Sequence, residues 1–411
     1  MVSFSVLALA SASALAGYSS AHPDAANMKR EIVARDHGAN LGARSLASCS
    51  NSAAVQARNA RSLQRRAEAV KNIRQKRGIT TPSKKGKRTL EDLQAWEAIN
   101  HNMTDSYSYD MFTPLEDVFS ANTSCILAPY VTNGPYYVAG EKMRSNVKET
   151  EFSEGVDVFL EAQYIDVNTC EPIPSMAVDL WSCNATGVYS GVESGQGGLN
   201  TTFLRGIQLT DYEGVVSFET IFPGHYTGRA VHTHMLAHLN ATVQSNGTIS
   251  IWEAPVSHIG QLFWPEDLRA EVEALEPYTL NTVELTTNDE DMWSILQADS
   301  SYDPIPQFIY LGDSIEDGLF AWIQIGINAS ADYSTDSYYG VAAYLDEEGG
   351  HSTGFTVGGG GDGEPGQGGN GTFPSGSAPS GPAPTETAAA TGSDAPVATS
   401  TDSAADSECS V

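Results

Sequence analysis

The chain has 411 residues and a formal net charge of −29 at pH 7, from 51 acidic and 22 basic residues. A protein this acidic is poorly suited to nucleic acid, whose phosphate backbone is bound mainly through Lys and Arg. Its apolar stretch at residues 6–16 is too short to cross a bilayer, and no later segment reaches about 18 apolar residues. We therefore expect neither nucleic acid nor a membrane as a partner.

The N-terminus predicts export from the cell. The apolar stretch is followed by small residues, which is typical of a signal peptide over residues 1–21, although no Lys or Arg precedes it. Asn-x-Ser/Thr sequons are the acceptor sites of N-glycosylation in secreted chains. They recur at Asn102, Asn122, Asn184, Asn200, Asn240, Asn246, Asn328 and Asn370. We expect a secreted, extracellular glycoprotein.

Residues 22–89 form a basic segment. The first 88 residues contain 16 of the 22 basic residues and only four acidic ones. Apolar side chains recur at helical spacing between residues 53 and 77, and the segment ends in dibasic pairs. It is predicted to be a pro-region trimmed at those pairs or a flexible helical arm. A basic helix lying on the acidic body, or an arm for nucleic acid or membrane, are the alternatives.

Residues 349–411 are predicted to be a disordered tail. The sequence there turns to Gly, Ser, Thr, Ala and Pro, with almost no large apolar side chains. Such a composition cannot bury enough apolar surface to fold. The tail does not end in the hydrophobic segment of a glycolipid anchor.

Residues 90–348 are predicted to form one folded domain. Runs rich in β-branched and aromatic residues predict strands at 156–165, 176–183, 214–221, 230–239 and 320–327. Helical patterns are short and fall at 90–99, 265–274 and 294–298. The expected fold class is mainly β, an antiparallel β-sandwich core with short peripheral helices.

Two histidines stand out within the strand predicted at 230–239. His232 and His234 are two residues apart, so on an extended strand both imidazoles project from one face. Such a pair is half of a metal site. Tyr226 and Arg229 lie just upstream, close enough to reach that face from a loop.

A second segment, residues 177–189, adds a further donor. Val178, Leu180 and Trp181 indicate a buried strand, and the residues from Asn184 indicate a turn that ends at Tyr189. A loop that follows a buried strand would hold this phenol at the end of the sheet.

Together these segments resemble the intradiol ring-cleavage dioxygenases, the family of catechol 1,2-dioxygenase and protocatechuate 3,4-dioxygenase, and in particular their secreted, extracellular branch. The family pattern is Val-Asp-x-Trp, Gly-x-Tyr, Pro-x-x-Tyr and Arg-x-x-His-x-His. It is matched in order by residues 178–181, 187–189, 223–226 and 229–234. The resemblance extends over roughly residues 125–326, about half of the chain.

The resemblance implies one Fe(III) per chain, held by Tyr189, Tyr226, His232 and His234. Phenolate is a hard donor that favours Fe(III), and imidazole also suits iron. The implied enzyme uses O2 to cleave catechol-type aromatics between the two hydroxylated carbons, giving muconate-type diacids. Tyr226 would leave the iron when the catechol binds, and Arg229 would stabilise developing negative charge.

Further residues are carried over from the same resemblance. Gln261 corresponds to a family glutamine beside the substrate, and Tyr136 and Tyr137 are expected at the substrate mouth. His225 and His238 are expected to support the site without binding metal. Cytoplasmic members dimerise through an N-terminal helical region. In this chain the segment before Cys125 is short once a pro-region is discounted, so we do not expect family-style dimerisation. A short segment also favours an open site for neutral or modestly substituted catechols.

Two rival functions remain open from the sequence. A secreted β-sandwich binding or cell-wall protein could keep the constellation as a catalytically inactive relic. A hydrolase could use a His-x-His metal with bound water, although it would explain neither tyrosine.

The five cysteines are Cys49, Cys125, Cys170, Cys183 and Cys409. A secreted chain oxidises cysteines that are well placed. Cys170 and Cys183 are close in sequence, but a hairpin turn at residues 168–174 would place Cys183 roughly 30 Å along the next strand. A disulfide allows only about 7 Å between Cα atoms, so these two cysteines are not expected to pair. We therefore expect Cys125 to pair with Cys170 or Cys183. No Cys-x-x-Cys spacing indicates a metal site.

Overall fold

The computed structural model describes the chain at residues 52–79, 101–102, 128–149, 154–193, 196–243, 248–252, 254–298, 302–336 and 338–355. Within these ranges the fold is mainly β, with thirteen strands and three α-helices. Two four-stranded sheets share one apolar core, which makes the fold a β-sandwich and confirms the predicted fold class.

The first sheet has the strand order β10-β11-β2-β5. Its strands are β2 (Asp157–Asp166), β5 (Val215–Ile221), β10 (Gln307–Tyr310) and β11 (Leu319–Ile327). The pairing of β2 with β5 is antiparallel, but β2 runs parallel to β11. The expected antiparallel arrangement is therefore broken in this sheet. Every residue of β11 is buried, as expected for a strand covered on both faces.

The second sheet is antiparallel throughout, in the order β4-β3-β6-β9. Its strands are β3 (Ala177–Trp181), β4 (Arg205–Leu209), β6 (His232–His238) and β9 (Val256–Phe263). The predicted strands at 176–183 and 230–239 correspond to β3 and β6. Alternate side chains of β3 and β6, such as Leu180 and Met235, point into the shared core.

Smaller elements cover the outer face of the second sheet. They are β1 (Val138–Ala139), β12 (Ala343–Asp346) and β13 (Gly349–Ser352), with β7 (Thr242–Val243) and β8 (Ile249–Ser250) as a separate pair. β13 lies in the segment predicted to be a disordered tail. The predicted start of the tail at residue 349 was therefore too early, because β13 pairs its backbone with β12. The rest of the predicted tail, from residue 356, lies outside the described residues.

Three α-helices flank the sandwich in the described chain. They are α1 (Ala53–Arg77), α2 (Glu266–Glu273) and α3 (Met292–Gln297). The structure confirms the predicted helices at 265–274 and 294–298 as α2 and α3. The helix predicted at 90–99 lies outside the described residues.

Helix α1 packs on the outer face of the first sheet. Ala67 and Val70 contact an apolar cluster formed by Ile309, Leu311, Phe320 and Trp322. The Ser52 side chain caps its N-terminus, and Gly78, in the left-handed conformation at φ 67°, caps its C-terminus. Residues 53–77 of the basic segment therefore form a helix that lies on the body, which was one of the alternatives. Trimming of a pro-region at the dibasic pairs stays a prediction.

Buried and half-buried ion pairs fix this helix. Glu161 of β2 accepts from Arg66 at 2.7 Å and from Arg65 at 3.1 Å, and the Arg66 and Glu161 side chains are 5% and 3% exposed. The two guanidinium groups outweigh burial and hold the pKa of Glu161 below its ordinary value. The basic helix thus neutralises a carboxylate that the sheet would otherwise bury unpaired.

Cys183 is a buried free thiol, and its Sγ lies 3.2 Å from the Gly224 carbonyl oxygen. The expected disulfide between Cys125 and Cys183 is therefore wrong. Cys125 lies outside the described residues, so its pairing with Cys170 stays a prediction. Among the helices of the described ranges, none has the length and apolar character needed to span a bilayer.

Candidate active site

The candidate site lies on the outer face of the second sheet. Strand register aligns Arg205 with Trp181, Trp181 with His234, and His234 with Gln261. Residues directly opposite each other in neighbouring strands carry their side chains on the same face. The four side chains therefore form one row across the sheet, with His234 near its centre.

The two histidines of β6 point to one spot. Their Nε2 atoms are 3.0 Å apart, and both rings are buried. The Nδ1 atom of His232 lies 2.6 Å from the Ala230 carbonyl oxygen. Since a carbonyl only accepts, Nδ1 carries the proton and Nε2 keeps its lone pair. The lone pair of His232 thus faces the shared spot.

Trp181 sets the orientation of His234. The indole and imidazole rings are stacked, with centroids 4.5 Å apart and planes inclined by 3°. The imidazole of His234 therefore has a flat partner that restricts its rotation, while its Nδ1 has no hydrogen-bond partner.

Both predicted tyrosines reach the histidines from loops. The Tyr226 hydroxyl lies 3.3 Å from His232 Nε2. The Tyr189 ring meets Tyr226 edge-on at 5.4 Å and His234 at 6.2 Å between centroids. The Tyr189 hydroxyl is buried and has no hydrogen-bond partner. The structure therefore brings together the four side chains predicted as iron ligands.

The loop before Tyr189 explains the Gly-x-Tyr pattern. Gly187 has φ 83°, and a Cβ there would lie 2.3 Å from the His225 carbonyl oxygen. Only glycine fits this left-handed turn and close approach. The Asn184 side chain accepts from the Val188 backbone at 2.9 Å and closes the turn. The turn directs Tyr189 toward the histidines.

Arg229 is held rigidly beside Tyr226. Its Nε donates to Asp291 at 2.8 Å, one terminal nitrogen donates to Gln261, and the other lies 3.3 Å from the Tyr226 hydroxyl. Asp291 also accepts from the backbone of Ala230 at 2.8 Å. Asp291 was not predicted from sequence, because it lies 62 residues from Arg229 with no motif to mark it.

Burial keeps the four donors neutral in the metal-free chain. Burial and the neighbouring Tyr226 raise the pKa of Tyr189, and burial also raises the pKa of Tyr226 against the lowering effect of Arg229. Burial, with Arg229, lowers the pKa of His232 to about 3. Burial and His232 lower the pKa of His234. Neutral imidazoles are the form that binds metals.

The structure separates the two tyrosines predicted at the substrate mouth. Tyr136 stacks on Tyr189 with centroids 4.5 Å apart, so it lies at the site. Tyr137 is fully buried, and its hydroxyl donates to Asp179 at 2.8 Å and lies 3.0 Å from His238 Nε2. Its expected role at the mouth is corrected to a core role, because its ring is buried against Trp181 and its hydroxyl already has Asp179 and His238 as partners.

The remaining histidines near the motif take no part in the cluster. His225 Nδ1 lies 2.6 Å from a carboxylate oxygen of Glu273, and its Nε2 lies 2.9 Å from the Val283 carbonyl oxygen. His238 belongs to the network of Tyr137. Gln261, carried over across a longer sequence interval, is brought beside the pair, since it lies opposite His234 and bonds Arg229.

Comparison with known proteins gives the family of the chain. A family model described as Dioxygenase matches residues 132–254. An intradiol ring-cleavage dioxygenase from Tetranychus urticae is 30% identical over 51% of this chain and 97% of that chain, with a TM-score of 0.43. The chain belongs to the intradiol ring-cleavage dioxygenase family.

More distant similarity is found among bacterial enzymes. A catechol 1,2-dioxygenase from Acinetobacter is 15% identical over 52% of this chain and 65% of that chain, with a TM-score of 0.33. A hydroxyquinol 1,2-dioxygenase from Pseudomonas putida is 16% identical over 73% of this chain and 98% of that chain, with a TM-score of 0.32. No curated protein matches the chain.

Proposed function

We propose that this protein is a secreted non-haem Fe(III) dioxygenase that cleaves catechol-type aromatics between their two hydroxylated carbons to give muconate-type diacids. The observation that carries the proposal is the convergence of Tyr189, Tyr226, His232 and His234 on one buried spot. Family membership supports the same reaction class.

The residues present fit a ferric ion. The Tyr189 hydroxyl is buried without a hydrogen-bond partner. His232 turns the lone pair of its Nε2 to the spot where the Nε2 atoms of the two histidines lie 3.0 Å apart. In the described residues, no group of three or more His, Cys, Asp and Glu could hold a metal, so a metal ion here must draw on tyrosine. Two phenols with two imidazoles match the preferences of Fe(III) rather than those of Mg²⁺ or Ca²⁺.

Bound iron would lower the pKa of the ligating phenols and withdraw electron density from a bound catecholate, which prepares the ring to react with O2. Tyr226 Oη, which would be deprotonated while Tyr226 holds the ion, would then accept the proton of an incoming catechol hydroxyl. This oxygen is suited to the task because it lies at the edge of the cluster, within reach of both His232 and Arg229.

Arg229 supplies a fixed positive charge beside the reacting ring. Asp291 and Gln261 hold two sides of its guanidinium, and its remaining terminal nitrogen faces the Tyr226 hydroxyl. A donor fixed before the reaction stabilises developing negative charge without reorganisation. Tyr136, stacked on Tyr189, provides an aromatic wall for a flat substrate.

The test of this function is a spectrum followed by an assay. We expect the iron-loaded protein to show a visible tyrosinate-to-iron band at one iron per chain, which shifts when catechol is added without oxygen. Admission of O2 should then consume one O2 per catechol and give a ring-opened diacid detectable by mass. A protein that stays colourless after iron loading and consumes no O2 contradicts the proposal and favours the inactive binding protein.

Secretion is part of the proposal and rests on the N-terminal apolar stretch and the sequons. Asn200 and Asn240 are exposed, whereas Asn102 is only 3% exposed and leaves no room for a glycan. Expression in a eukaryotic secretory host should release the protein into the culture medium. The released protein should begin after residue 21 or later and lose mass when N-glycans are removed. Retention inside the cell with residue 1 intact would contradict secretion.

A further inference from the structure

Arg205 is a buried cation at the end of the row that contains His234. It lies opposite Trp181, which stacks on His234. Only six Lys and Arg residues follow Arg88 in the sequence, and Arg205 is one of them. Its side chain is 2% exposed, as is usual only for a charge with several fixed partners.

The guanidinium of Arg205 bonds two segments around the site, residues 136–141 and Ser190. Its Nη2 donates to the Tyr136 carbonyl at 2.6 Å and to the Ser190 carbonyl at 2.8 Å. Its Nε donates to the Ser190 hydroxyl at 2.9 Å and its carbonyl at 3.1 Å. Its Nη1 donates to Glu141 at 3.0 Å. Ser190 follows Tyr189 directly, so one side chain bonds the backbone of Tyr136 and of the residue next to Tyr189.

The same cation lies against the aromatic cluster. The Arg205 guanidinium carbon is 6.0 Å from the centroid of the Tyr189 ring, within the range of a cation–π contact. Glu141, 3% exposed, provides the countercharge. A buried ion pair adds little net stability because desolvation offsets its attraction. The presence of the Arg205–Glu141 pair is therefore better explained by the hydrogen bonds that Arg205 makes around the site than by a gain in stability.

We infer that Arg205 is a positioning residue for the dioxygenase site: it fixes Tyr189 against Tyr136, and so sets the placement of the Tyr189 phenol relative to the two histidines. The inference rests on the proposed function where it concerns iron. Its structural half, the placement of Tyr189, holds for the metal-free chain. The planar fork of arginine is required because lysine offers a single nitrogen that cannot span both carbonyls and Glu141.

The test compares Arg205→Met and Arg205→Lys with Arg66→Met as a matched control. Arg66 is also a buried arginine paired with a glutamate, but it lies on helix α1 against the first sheet. Three quantities are measured: the near-UV circular dichroism of the metal-free protein, iron affinity by titration, and kcat and KM for catechol, alongside the melting temperature.

We expect both Arg205 variants to change the near-UV spectrum of the tyrosine cluster and to lose about 10- to 100-fold in iron affinity, the usual cost of losing a residue that orients a metal ligand. Arg205→Lys should fall between Arg205→Met and wild type. Arg66→Met should lower the melting temperature and leave the near-UV signal of the cluster, iron affinity and KM at wild-type values.

The inference is overturned if Arg205→Lys keeps the wild-type near-UV spectrum and iron affinity, even where Arg205→Met fails to fold. It is also overturned if the Arg205 and Arg66 variants differ from wild type only in melting temperature. If the wild-type protein binds no iron, the proposed function fails, whereas the metal-free spectra still decide whether Arg205 positions Tyr189.

Discussion

His232 and Tyr226 should have separable roles. His232→Ala removes a lone pair at the centre of the cluster, so we expect loss of iron. Tyr226→Phe leaves three other donors, so we expect iron to be retained while kcat falls by about 100-fold, because a proton acceptor is lost. Iron per chain and oxygen uptake measure the two effects. Tyr212→Phe, at a residue 79% exposed, is the control, and full activity of His232→Ala would refute the ligand assignment.

Asp291 controls the position of Arg229. It is fully buried, and it also caps α3 by accepting from the Trp293 backbone at 2.8 Å. Asp291→Asn keeps the shape but removes the countercharge of Arg229, so the guanidinium should shift and kcat/KM should fall by about 100-fold. Asp303→Asn, which alters a pair with His101, is the control. Equal kcat/KM values in the two variants would show that Arg229 needs no countercharge.

At this scale the sequence predicts residues better than contacts. The pattern of residues 187–189, 223–226 and 229–234 indicated the two tyrosines that the structure brings to the histidines. Tyr137 was misplaced because a motif does not say which of two adjacent tyrosines, at the end of the turn Gly134–Tyr136, is buried in the core. Asp291 was missed because its partner is fixed only by the packing of α3 beside β9.

At the scale of elements, helix α1 shows how a buried charge is held. Arg66→Met leaves Glu161 buried with only Arg65, and we expect a loss of about 3 kcal/mol in the free energy of unfolding. Arg61→Met removes a pair with Glu213 in which the arginine is 50% exposed, so its loss of stability should be much smaller than that of Arg66→Met. Urea unfolding gives both values. Equal losses would mean that burial of the pair is energetically irrelevant.

The missed elements have a common physical cause. Strands β4 and β9 were not predicted, although β9 carries Gln261, because each is recognised mainly by its pairing with a neighbour rather than by its own pattern. The amphipathic pattern of residues 53–77 predicted a helix, but not the surface that it covers. That surface is formed by β10 and β11, more than 200 residues away.

In the whole folded unit, the stabilising helix and the candidate site lie on the outer faces of different sheets. Helix α1 covers the first sheet, whereas the candidate site lies on the second sheet beneath the segment that leads into β1. Because opposite charges attract, the basic helix pairs with carboxylates of an otherwise acidic body, including Asp157 and Glu213. Changes in α1 should therefore alter stability more than substrate binding.

Buried histidines should make the whole molecule sensitive to mild acid. Burial lowers the pKa of His258, in β9, to about 4 and that of His238 likewise to about 4. An unfolded chain takes up these protons near about pH 6.5, but the folded chain does so only near the lower value. The free energy of unfolding should therefore be highest above about pH 6.5. Between this pH and the folded-state pKa it should fall by about 1.4 kcal/mol per pH unit for each histidine.

His258→Gln tests this origin of the acid sensitivity. A glutamine can still donate to the Pro129 carbonyl, which lies 3.3 Å from His258 Nε2, but it does not titrate. The free energy of unfolding is measured in urea between about pH 6.5 and pH 4. We expect its slope against pH to correspond to the uptake of one proton fewer on unfolding than in wild type. A wild-type slope in His258→Gln would assign the acid sensitivity to other groups, because linkage requires a group that binds protons differently in the folded and unfolded chains.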